Sequence, residues 1–182
     1  AEGELEVVFT RDHSVDDGRF ANNGWCQELP DPITKITWDN VMSVSRKTAE
    51  KLKLVNGELA ELTLRGQSVK GPIWVQPGMA DNTVALPLGY DRKGKLRIAN
   101  FNYEGKTKGQ PVGGFNAYQV RTSDAPNFAV GSKLEGTSEP YPLSSTQEHW
   151  SMEGRAVVRE ATLAEYHKNK KFAIEVGLKS HA

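Results

Sequence analysis

The chain has 182 residues, 37% of them hydrophobic, and its 23 basic and 23 acidic side chains cancel. That length suits one domain with an extended tail, able to hold a core without disulfides or metal. A formal net charge of zero argues against nucleic acid as a partner, and no apolar run reaches the roughly 20 residues that would insert directly in a membrane. Cys26 is the single cysteine, so the chain forms no internal disulfide and cannot supply the about four thiolates of an iron–sulfur cluster.

In chain order, Ala1-Glu2-Gly3-Glu4 shows neither an initiator Met nor a basic-then-apolar leader, which reads as a piece excised from a larger polypeptide. Residues 5–10 are β-branched and apolar and predict a buried strand; residues 11–23, with Asp16-Asp17-Gly18 and Asn22-Asn23-Gly24, predict turns. Pro30 and Pro32 exclude a helix interior there, and alternation over residues 33–38 predicts a strand. Residues 41–54 form the best helical pattern, with Ser45 as N-cap and Asn56-Gly57 as terminator. Further strands are expected at 59–64, 69–75, 83–88, 96–103 and 115–121, separated by glycine-bearing turns. Short strands with one helix argue for a β-barrel rather than a βαβ sheet. Past Asp124 the periodicity decays, so residues 1–123 are expected to form the barrel. Residues 124–182 would then be an irregular arm with a helix near 163–172, capped by Thr162 with Glu165 in a capping box.

Chemistry-bearing motifs are sparse. His13, His149, His167 and His181 are far apart, and no second ligand stands at zinc-site spacing. Asp12, His13, Asp16 and Asp17 read as a solvated acidic loop rather than a cation site, and Cys26, with no local His, as a structural thiol. Gly109-Gln110-Pro111-Val112-Gly113-Gly114 lacks the Lys-Ser/Thr of a phosphate loop. Asp12 or Asp16 paired with Asp81 or Asp124 would suit a groove-binding carbohydrate hydrolase. The first half of the chain is acidic and the second basic, with Arg92, Lys93, Lys95, Arg97, Lys106 and Lys108 facing only Glu104. This stretch, with Phe101 and Tyr103, reads as a solvated hairpin before it reads as a grip for phosphate or an acidic partner.

Thr48-Ala49-Glu50-Lys51-Leu52-Lys53-Leu54-Val55-Asn56-Gly57-Glu58-Leu59-Ala60-Glu61-Leu62 resembles the helix–turn–strand signature of the molybdopterin dinucleotide-binding domain. Leu52-Lys53-Leu54 stands in place of that family's Leu-Gly, and Gly57-Glu58 in place of its Gly-Asp. Val75-Gln76-Pro77-Gly78-Met79 followed by Val84-Ala85-Leu86-Pro87-Leu88-Gly89 resembles the family's next strand pair. Gly114-Phe115-Asn116-Ala117-Tyr118 sits where the family has an Asn before its last barrel strand. Three further stretches, residues 23–40, 146–155 and 159–163, are similar to the molybdopterin-oxidoreductase-like iron–sulfur subunit of bacterial alternative complex III.

The resemblance implies a double-psi β-barrel of about six strands, with Thr10, Arg11, Asn22, Gln27 and Asn116 on the cofactor-facing loops. It implies a non-catalytic domain of a quinol-oxidising respiratory complex on the periplasmic side of the inner membrane. Its partners would be other domains of the same parent chain and other subunits of the complex. The fragment itself would hold no cofactor; 4Fe-4S clusters would lie elsewhere in the parent, and the molybdenum cofactor would be lost from the lineage. The alternative within the same resemblance is a genuine molybdopterin guanine dinucleotide-binding domain of a dimethyl-sulfoxide-reductase-type enzyme.

Overall fold

The computed structural model describes residues 5–92, 97–99, 113–146, 152 and 154–180. It is mainly β: six strands close into a barrel, accompanied by a few short helices. In chain order the elements are β1 (Leu5–Thr10), α1 (Gly24–Glu28), β2 (Met42–Val44), α2 (Arg46–Leu52), β3 (Glu58–Leu64), β4 (Gln67–Val75), β5 (Thr83–Pro87), a 3-10 turn (Ala117–Gln119), β6 (Phe128–Pro140), α3 (Leu163–Lys168) and α4 (Phe172–Lys179).

The barrel runs β1-β5-β2-β4-β3-β6 and back to β1. Two pairs are parallel, β1 with β5 and β2 with β4; the other pairs are antiparallel. Period-two alternation sends Leu5, Val7 and Phe9 of β1 inward, where they meet Met42, Val44, Leu62, Ile73, Val84 and Leu86. β3 and β4 are joined by Arg65-Gly66, both at positive φ (50° and 79°). Two left-handed residues in a two-residue loop match the right-handed twist of the flanking strands. A smaller cluster of Val15, Ala21, Tyr90 and Ala99 underlies the long β1–α1 loop.

Four expectations change. The helix starts at Arg46 rather than at residue 41, because Met42 and Val44 are fully buried in β2, a strand that pairs with both β4 and β5. Ser45 does cap it, accepting from Thr48 N at 3.1 Å. Residues 33–38 form no strand: Asp31 accepts from Ile33 N and Thr34 N at 2.8 and 2.7 Å, Lys35 and Trp38 take positive φ, and Ile36 alone bridges to Ser145. Residues 115–121 make the 3-10 turn instead of a strand, capped by Asn116. The sixth strand comes from Phe128–Pro140, inside the stretch expected to be an irregular arm, and it seals the barrel between β1 and β3. The compact barrel unit accordingly reaches Thr146 rather than residue 123.

α1 was not anticipated by the pattern; Asn23 caps it by accepting from Trp25 N, and it ends before Pro30. Of the strand expected at 96–103, only 97–99 are described, as bend and turn, and most of the basic hairpin lies outside the described residues.

The second unit, Gln147–Ala182, contains α3 and α4. Thr162 and Glu165 form the expected capping box at α3. The helix stops at Asn169, and α4 follows as a separate element.

Candidate functional site

β1, β5 and β2 lie side by side, and where Thr10, Pro87, Ala85 and Ser43 face outward the side chains are small. Thr10, Ala85, Pro87 and Ser43 form the floor of a groove of about 200 Å³. Arg11, Asp12 and His13 make one wall as the chain leaves β1; Asp31, Ile33 and Thr34 make another; Gln76 and Met79 close it from the β4–β5 connection. The groove therefore depends on the parallel β1–β5 pairing, which places the ends of two distant strands together.

Two carboxylates define its chemistry. Asp12 Oδ1 accepts from Ser14 N and Val15 N, both at 2.8 Å, and from Tyr90 OH at 3.3 Å. Burial pushes the Asp12 pKa up and the charge of Asp31 adds to this, while the three hydrogen bonds oppose it. Asp31 is itself tied through Oδ1 to the backbone of its own turn. Arg11 turns to Asp16 in an ion pair that lowers the pKa of that carboxyl, and Arg19 meets both Asp16 (3.1 Å) and Asp17 (2.7 Å). The net result is a groove whose cation is already engaged and whose two acids repel each other.

The five residues singled out from the sequence separate into two groups. Thr10 and Arg11 line the groove. The other three do not line it and serve the backbone. Asn22 Oδ1 accepts from Ile98 N and Ala99 N at 3.0 and 3.4 Å. Gln27, 5% exposed, donates from Nε2 to Ala21 O at 2.9 Å, and its Oε1 finds no hydrogen-bond partner among the described residues. Asn116 accepts from Tyr118 N at 3.1 Å.

The acids considered for a hydrolase pair are not gathered in one groove. Asp81 accepts from Ser45 at 2.7 Å and pairs with Lys47 at 3.3 Å, Asp124 pairs with Arg65 at 2.6 Å, and neither lines the groove that holds Asp12. Among the described residues no group of three or more His, Cys, Asp or Glu is placed to hold a metal ion.

Sequence reasoning missed Asp31 and Ser43 in the groove, and above all Asn40. Asn40 is 2% exposed; it accepts from Phe115 N at 2.7 Å and donates to Phe115 O at 3.0 Å and Pro87 O at 2.8 Å. A signal existed, because a polar pair Asp39-Asn40 directly before an apolar run must be buried with it and therefore bonded. Asp39 obeys the same rule, accepting from Tyr141 OH at 2.8 Å.

Fold and groove together define a closed, mixed six-stranded barrel bearing a small acidic surface groove. No family model matches the chain, and no curated protein matches it either.

Proposed function

We propose that the chain is a non-catalytic barrel domain of the molybdopterin dinucleotide-binding type, with double-psi connectivity. In this reading it belongs to the iron–sulfur subunit of a quinol-oxidising membrane complex on the periplasmic side. The observation that carries the non-catalytic part is the fate of the cofactor-loop candidates. The amide oxygens of Asn22 and Asn116 and the amide nitrogen of Gln27 each bond a backbone group of this chain, a use that needs no dinucleotide. The mixed barrel with two parallel pairs, and the helix between β2 and β3, support the resemblance from which the redox assignment comes.

Exposed apolar side chains support a domain that works inside a larger assembly. Trp25 is 88% exposed, and Leu29, four residues on, is also uncovered. Large exposed apolar side chains in proximity on one element mark contact surfaces. In this reading the partners are other domains of the parent chain and other subunits, and the 4Fe-4S clusters sit elsewhere in that parent.

The test is the metal content of the native protein, isolated from membranes with an antibody against this chain. The reading expects iron with a cluster signal in electron paramagnetic resonance and no stoichiometric molybdenum. Stoichiometric molybdenum would favour the dinucleotide-binding alternative, to which Thr10 and Arg11 in the groove lend support. Absence of both metals would sink the redox assignment.

A further inference from the structure

The second unit has an inverted distribution of apolar residues. Leu163 and Tyr166, three apart, share a face of α3; Ile174 and Leu178, four apart, share a face of α4. Leu163, Ile174 and Leu178 are 71%, 60% and 69% exposed. What α4 does bury is Gly177, whose Cα side lies against the Arg159 guanidinium, while Arg159 donates to Ala173 O at 3.0 Å. Phe172 and Val176, on another face of α4, line a cleft with Ala161 and Lys168. Helices of six and eight residues are marginal without tertiary cover, so the outward faces call for an apolar environment.

The charges say which one. Residues 159–180 carry Arg159 and four lysines against Glu160, Glu165 and Glu175, an excess of positive charge; Glu165 caps α3 through Thr162, and Glu175 accepts from Asn169 Nδ2 at 2.8 Å. Lys168, Lys170, Lys171 and Lys179 enter no ion pair among the described residues. Protein interfaces favour Arg and aromatic anchors and are depleted in Lys. A diffuse anionic surface is met equally well by point-charge lysines, whose long stems reach outward while nearby aliphatic side chains enter the acyl boundary. Aliphatic residues on two short helix faces, flanked by unpaired lysines, fit that second environment.

We infer that residues 159–180 form a peripheral membrane-binding element that lays its Leu163/Tyr166 and Ile174/Leu178 faces on an anionic lipid surface. The inference stands on this unit's own residues and not on the redox reading: vesicle binding and metal content fail independently.

The test is sedimentation of the full chain with vesicles of phosphatidylglycerol and phosphatidylcholine, against vesicles of phosphatidylcholine alone. Binding is expected to the anionic vesicles only and to vanish at high salt. The variant Lys168→Glu/Lys170→Glu/Lys171→Glu is expected to bind at least about tenfold more weakly. Ile174→Ser/Leu178→Ser, at exposed positions, is expected to lose binding with an unchanged circular-dichroism spectrum of the barrel. Failure to sediment with either vesicle would point to a protein face and overturn the inference. So would equal binding to neutral vesicles, or variants that bind as the parent does.

Discussion

Asn40 clasps Phe115 by both of its backbone polar groups, accepting from the N–H at 2.7 Å and donating to the C=O at 3.0 Å across 75 residues of sequence. A primary amide reproduces the donor–acceptor pair of a peptide, so one side chain does here what a strand neighbour does in a ladder. Its remaining donor reaches Pro87 O, which ties the end of β5 to the same point. Gly114, at φ 83°, has no Cβ because Asn40 occupies that space.

Asn40→Ala therefore strands the buried N–H and C=O of Phe115 and the half-buried C=O of Pro87. The expected cost is about 2–4 kcal/mol, since each unsatisfied buried group carries a desolvation penalty. Urea unfolding checks it; a loss under about 0.5 kcal/mol, the level of an ordinary surface change, would mean that water replaces the amide.

Gly71, in β4, sits directly under the Phe115 ring, and a Cβ there would overlap it. Gly71→Ala should cost about 1–3 kcal/mol through overpacking. Shortening the ring by Phe115→Leu should relieve part of that strain. A double-mutant cycle is expected to show coupling of about 0.5–3 kcal/mol; simple additivity would contradict the contact.

Asp12 makes a pH prediction with a definite sign. Burial raises its folded-state pKa above the ordinary 3.8, so the folded chain holds that proton more tightly than the unfolded one. The contribution of Asp12 to stability is present below about 3.8 and is lost as the pH rises through the raised native value. Asp12→Asn keeps an acceptor for Ser14 N and Val15 N but does not ionise. Unfolding curves across the acidic range should show the parent losing stability relative to this variant as the pH climbs. Asp16, Asp81 and Asp124 shift the other way, but they titrate in both proteins and cancel in the difference. The opposite slope would show that the hydrogen bonds outweigh burial.

The place where the barrel ends can be tested by truncation. A chain ending at residue 123 lacks β6 and leaves β1 and β3 with open edges, which invite pairing between molecules. It should aggregate or self-associate in size-exclusion chromatography. A chain ending at Thr146 keeps the compact unit and should elute as a folded monomer with cooperative unfolding; identical behaviour of the two would refute the assignment of β6 as the closing strand.

Much of the fold is legible from local rules. Ser45 and Thr162 announce their helices because a hydroxyl before a helix has one obvious use, an orphan N–H three residues on. β1, β3, β4 and β5 read as strands because their inward faces are apolar along most of their length. β6 is different. Of its 13 residues, Ala129, Ser132 and Leu134 are the buried ones, and Gly131 and Ser138 take positive φ. Period two cannot survive that, and only the prior existence of β1 and β3 explains why the segment is extended. At residues 33–38 the alternation is real, but Asp31 wins by capping its own turn. The groove was half legible for a related reason. Thr10 and Arg11 follow the end of a visible strand, whereas Asp31 and Ser43 arrive there only through barrel closure.

That closure has a temporal consequence. β1 is the first of the barrel strands to be synthesised, yet its two neighbours are β5 and β6, and Ser132 bonds Leu5 O across 127 residues. The opening strand must wait, without a mate, until almost the whole barrel has been synthesised. Such distant pairings slow folding and leave a sticky strand uncovered meanwhile. The polar Glu6, paired with Val130 on the outer face beside Val8 and Phe128, interrupts what would otherwise be an unbroken greasy ribbon during that interval.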